Sequence, residues 1–116
     1  LRRQIELRAL ETIWKELNSE DHRNLREILE SMNHACRKRD IASIAGSDMA
    51  LHRYLIRRAG SPDLEAIWLS IAVRIRMTYS RLRDYSDIHR EHGAIVNAIL
   101  SGDKQTARKA LEKNII

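Results

Sequence analysis

Asp48-Met49-Ala50-Leu51-His52-Arg53-Tyr54-Leu55-Ile56-Arg57-Arg58-Ala59-Gly60-Ser61-Pro62-Asp63-Leu64 is the stretch on which the fold turns. Up to Ala59 it contains no helix breaker. Its inward series, stepping by four and three from upstream, is Ile41, Ala45, Asp48, His52, Leu55 and Ala59. Gly60 then stops the helix, and Ser61-Pro62-Asp63 starts another with a cap, a Pro in the first turn and an acid after it. One helix ending where the next begins predicts two packed neighbours joined by a tight turn.

The same pattern extends in both directions. A first helix is expected from about Leu1 to Leu17, with the stripe Leu1, Ile5, Ala9, Ile13 and Leu17 widened by Leu10 and Trp14. Asn18-Ser19 breaks it, and Ser19 is the expected cap of a second helix that has Glu20 and Asp21 in its first turn. This helix buries Leu25, Ile28, Leu29, Met32, Ala35 and Cys36 and ends in Arg37-Lys38-Arg39, cations placed at the negative end of the helix dipole. Asp40 caps the third helix. The fourth is expected to bury Leu64, Ile67, Trp68, Ile71, Ile75, Tyr79 and Leu82 and to end near Asp84. Ser86 opens a fifth with Ile88, Ile95, Val96, Ile99 and Leu100. Ser101-Gly102-Asp103 closes it and caps a sixth carrying Ala107, Ala110, Leu111 and Ile115. The fold class is therefore all-α: a six-helix antiparallel bundle occupying residues 1–116 as one domain.

Composition narrows the function. The 116 residues carry 21 Lys+Arg against 16 Asp+Glu, a net +5, with 43% hydrophobic residues. That is too apolar for a disordered tail and sufficient for one modest core. No run approaches the roughly 18 apolar residues of a membrane span. The lone Cys36 excludes an internal disulfide, so a reducing, cytoplasmic setting is expected. The start at Leu1 rather than Met reads as a cut at the first helix of a longer protein. The basic clusters Arg37-Lys38-Arg39, Arg57-Arg58 and Arg74, Arg76, Arg81, Arg83 fall on different helices among acids, which is not a nucleic-acid footprint. Phosphate loops, nucleophile elbows and a Cys/His pairing are absent.

The informative residues are polar ones at core positions. Asp48 and His52 stand one turn apart on the inward face of the third helix, His92 on that of the fifth, and Asn114 on that of the sixth. Buried charge must be paired or bound, so these four are expected to meet one another or a ligand. A carboxylate, two imidazoles and an amide oxygen suit a divalent metal of the Zn, Ni or Mn kind; a dry hydrogen-bonded network is the other outcome. His22, His34 and His89 read as surface or rim residues. Arg74, at the edge of the fourth helix's buried face, is placed to clamp a small carboxylate, or else to snorkel to solvent or pair with a neighbouring acid, and Arg2 at the first helix has the same ambiguity.

The quoted stretch resembles the D-x-x-F-H-x-x-L…A-G-N-x-x-L core of FCD domains, the C-terminal effector-binding domains of FadR-type regulators in the GntR family. Arg2-Arg3-Gln4-Ile5-Glu6 is similar to the R-x-x-L-E of their first helix, Glu91-His92-Gly93-Ala94-Ile95 to their E-H-x-x-I segment, and Gly102-Asp103 to their following turn. The likeness runs in order along essentially the whole chain. It implies a helical bundle around a small-molecule pocket, with a divalent metal held by Asp48, His52, His92 and, 22 residues further on, position 114. Here that position is Asn114 where the family has His, a weaker neutral ligand. Leu51 stands where the family prefers Phe, and Ser61 where it has Asn.

The resemblance further implies a ligand-sensing regulatory domain that binds a small organic acid over the metal; Arg74 and Arg2, singled out above by their positions, are the effector-binding candidates. It implies a homodimer, and DNA contact only through an N-terminal winged-helix domain outside this chain; no membrane is involved and no enzyme activity is expected. Two rival readings stand beside it: a helical metal-dependent hydrolase, for which Glu6 or Glu91 would be the general base, and a metal-free helical ligand or interaction module.

Overall fold

Asn18 separates the first two helices and shows how local chemistry sets the boundaries. In the computed structural model, which describes residues 1–82 and 85–115 (backbone alone for 74–82), the first helix α1 spans Arg2–Ile13. It tightens into a 3-10 turn at Trp14–Glu16, and Leu17 is extended. Asn18, not Ser19, caps α2 (Ser19–Lys38). Its Oδ1 accepts from the Asp21 backbone N–H at 3.0 Å, and its own N–H donates to Asp21 Oδ2 at 2.9 Å. The correction has a simple cause: an acid three residues after Asn18 completes a capping box, whereas Ser19 is followed at that distance by His22.

Asp40 caps α3 (Ile41–Arg58) as expected, and Asp103 caps α6 (Lys104–Asn114). Between them lie α4 (Pro62–Leu82) and α5 (Tyr85–Leu100), the latter beginning one residue before the expected Ser86. Ser61 Oγ accepts from the Leu64 N–H at 3.2 Å, which closes the predicted start of α4. Gly60 and Gly102 take positive φ, 83° and 74°, at the turns after α3 and α5. Among the described residues no strand occurs, and no helix is long and apolar enough to cross a membrane. The molecule is an all-α bundle.

α3 packs against α1, α2 and α4, while α5 packs against α2 and α6. The largest core cluster joins five helices through residues such as Leu10, Leu25, Leu55, Ile95 and Leu111. A second, around Met32, Ile44 and Ile88, ties α2, α3 and α5. A third, around Ala9, Ile56, Trp68 and Ala72, ties α1, α3 and α4. Three stripe residues are displaced from the expected core: Leu1, Ile41 and Ile67 are exposed, at 77%, 48% and 52%. Leu1 and Ile41 sit at helix starts, and the inward stripe of α3 begins one turn later, at Ile44 and Ala45. On α4, Trp68 takes the buried position and turns the neighbouring Ile67 outward, since successive helix residues lie about 100° apart. The expected core positions Ile75, Tyr79 and Leu82 lie outside the described side chains.

Candidate metal centre

Among the described residues, four of the six polar or charged residues in the interior are those singled out by periodicity, and the other two are Glu6 and Asp21. Asp48 and His52 come from adjacent turns of α3, and His92 from α5. One ligand-type atom from each lies within 4.8 Å of the others. The two imidazoles meet edge to face, with ring centroids 5.4 Å apart.

Each ring has one nitrogen committed to the protein. His92 Nδ1 donates to the Ile88 carbonyl oxygen at 2.7 Å, one turn back along α5. His52 Nδ1 donates to the Glu6 carboxylate. With both Nδ1 atoms carrying their protons outward, both Nε2 atoms turn toward Asp48. His92 Nε2 is 2.5 Å from Asp48 Oδ1, and His52 Nε2 is 3.4 Å from the same oxygen. His52 Nε2 is also wholly buried and has no hydrogen-bond partner. Two imidazole nitrogens and a carboxylate oxygen facing one another require positive charge between them, either a proton or a cation. The donor set of two neutral nitrogens and one oxygen, together with the orphaned Nε2, fits a divalent metal.

Electrostatics describes the same centre without a cation. Burial pushes the Asp48 carboxyl up, but the nearby His52 ring, the bond to His92 and the charge of both rings outweigh it and hold the group well below the usual carboxylate range. Burial also pulls His52 down, yet the charge of Glu6, the nearby Asp48 carboxylate and the bond to Glu6 prevail, raising it to about 10. Glu6 is pushed up by burial and pulled down more strongly by His52, Arg2 and Trp68. Without a metal, the carboxylates of Glu6 and Asp48 thus favour the charged form of His52.

Glu6 is the residue that the sequence reading undervalued. It is fully buried and accepts from three helices at once: Arg2 Nε at 2.6 Å on α1, Trp68 Nε1 at 2.9 Å on α4, and His52 Nδ1 on α3. A signal was present, since Glu6, Leu10 and Ile13 follow the same four-then-three step that marked Asp48 and His52 as inward. Arg2, read as either an effector contact or the partner of a neighbouring acid, pairs with Glu6 and lies 6.0 Å over the Trp68 ring. Asn114 is buried as expected and donates its Nδ2 to Glu91 Oε2 at 3.3 Å, on the residue preceding His92. Its amide nitrogen is thus turned to Glu91, and Oδ1 is the atom it has to offer a metal. The side chain of Arg74 lies outside the described residues. His34 is exposed, and His22 and His89 are half-buried, as their rim reading anticipated.

Fold and site together define an all-α bundle domain with a ligand-type cluster at its centre. The chain belongs to the FCD domain family, which it matches over residues 1–115. Its fold is that of E. coli McbR/YncC, to which it is similar over 97% of its own length with a TM-score of 0.82 and 20% sequence identity. The chain covers 59% of McbR/YncC. No curated protein matches it in sequence.

Proposed function

We propose that this chain is the ligand-sensing domain of a GntR/FadR-type transcription regulator. Asp48, His52 and His92 would hold a divalent metal, with Asn114 as a weak fourth ligand through Oδ1, and a small organic acid would bind over it. Binding would be reported to a DNA-binding winged-helix domain in the full-length regulator, which would act as a homodimer in the cytoplasm. Family membership supports the class. The observation that carries the site is the buried His52 Nε2, which has no hydrogen-bond partner and faces Asp48 beside His92 Nε2. When bound, the metal would supply a Lewis-acidic anchor for a carboxylate. The chain's own part is to fix both imidazole tautomers and to exclude water from the ligand atoms.

Metal analysis after zinc, nickel or manganese supplementation tests this reading. About one equivalent is expected in the wild-type protein, and its loss is expected in H52A and H92A; less than a tenth of an equivalent in the wild type overturns the site. Because metal must displace the proton held by His52, affinity is expected to rise with pH from 6 to 8.

The metal-free module is the second reading, favoured by the same raised His52, since an imidazolium beside Glu6 and Asp48 offsets their buried negative charge without a metal. Absence of metal together with saturable acid binding would select it. The hydrolase reading is weakened by Glu6, whose carboxylate already accepts three donors and is not poised to take a proton from water.

A further inference from the structure

Glu6 belongs to α1, whereas the cluster it touches belongs to α3 and α5. One of its oxygens accepts the Nδ1 proton of His52; the other accepts from Arg2 and Trp68. A histidine whose Nδ1–H is taken by a carboxylate presents Nε2 as a lone pair in a fixed direction, and such outer carboxylates orient metal-binding imidazoles. His92 obtains the same tautomer from the Ile88 carbonyl within its own helix, so its direction is independent of any other element. His52 obtains it only from α1. The two imidazoles are therefore oriented by different means, one local and one tertiary.

We infer that Glu6 is a positioning residue for the centre: it fixes the tautomer and direction of His52, and it makes loading of the centre depend on the seating of α1 against α3 and α4. The inference rests on the metal reading above and extends it to regulation. Linkage makes the dependence reciprocal, because whatever displaces α1 lowers metal affinity and metal in turn holds α1 in place. The contact spans 46 residues of sequence, so it joins the first helix of the domain directly to the site.

The experiment compares the full chain with E6Q, using Y54F as a control. Tyr54 lies on α3 and donates to Asp21, so the control removes a tertiary hydrogen bond of α3 without touching the centre. Zinc affinity is read by competition with a chromogenic chelator. E6Q is expected to bind zinc at least roughly tenfold more weakly, the range seen for outer-shell partners, and Y54F within about threefold of wild type.

In 15N-histidine spectra of the wild type, Nδ1 of His52 is expected to be protonated with and without zinc. In amide exchange, zinc is expected to slow α1 in the wild type and not in E6Q. Equal zinc affinity in E6Q and wild type overturns the inference, as does an equal loss in Y54F or a His52 Nδ1 that carries no proton. Wild-type protein that takes up no zinc refutes the metal reading, while its histidine spectra still decide whether Glu6 holds the Nδ1 proton. Should E6Q fail to fold, the wild-type spectra decide in the same way.

Discussion

The carboxylate of Asp21 accepts from Tyr54 Oη at 2.6 Å and from Arg58 Nε at 2.9 Å, and it closes the capping box of α2 with Asn18. The bond to Arg58 lowers its pKa, burial works against that, and the bonds to Tyr54 and Asn18 assist, leaving it at about 2 against an ordinary 3.8. A carboxyl lowered on folding stabilises above its unfolded value, and that contribution is lost as pH falls through the folded one. The expected contribution is about 2 kcal/mol above pH 5, fading between about pH 4 and pH 2. Urea unfolding of wild type and D21N should show the gap between them narrowing across that window; a gap that does not change with pH refutes it. Asn114 gives a second prediction at this scale. N114H replaces an amide with an imidazole and is expected to tighten zinc binding at least tenfold in the chelator competition. Unchanged affinity would place residue 114 outside the centre. Asp48, His52 and His92 were legible because polar residues at core steps are rare and costly to bury. The role of Glu6 was not, because its partners His52 and Trp68 lie 46 and 62 residues away.

Arg39 ends α2 in the left-handed region, with φ at 56°, a conformation that glycine adopts without strain. Its guanidinium lies 5.5 Å from the centroid of the Tyr85 ring at the start of α5, which offsets part of the backbone strain. R39A keeps the strain and loses the ring contact, whereas R39G loses the contact and relieves the strain. R39G is therefore expected to be about 1 kcal/mol more stable than R39A in denaturant unfolding; equal stabilities would show that φ carries no strain there. Gly60 isolates the same effect, since a Cβ built on it meets nothing within 4 Å. G60A is expected to lose about 1 kcal/mol, all of it conformational. Caps, breakers and helix dipole charges made the elements readable. The boundary at residues 14–18 was misread because Ser19 and Asn18 are both good caps, and the choice between them depended on a reciprocal bond to Asp21.

At the scale of the molecule, α3 is the element through which the others meet: its faces carry Asp48 and His52 toward α5, Tyr54 and Arg58 toward Asp21 of α2, and Arg53 and Arg57 toward Glu65 of α4. A ligand that binds the assembled centre and not the unfolded chain must stabilise the whole domain. Zinc at a hundredfold excess over its dissociation constant is expected to add about 2.7 kcal/mol, or roughly 10 °C in Tm. A Tm that neither zinc nor a chelator moves would count against the centre. The sequence by itself determined the all-α class, most helix ends among the described residues and which polar residues, Asp48, His52 and His92, face the interior, because caps, periodicity and the cost of burying charge are local properties. Only the tertiary structure decided that Glu6 is the partner of His52, that Arg2 pairs with Glu6, that Ile41 and Ile67 face outward, and that Asn114 turns its nitrogen to Glu91. Those outcomes depend on which helices become neighbours, and a periodic pattern tells which face of a helix is buried without telling what it is buried against.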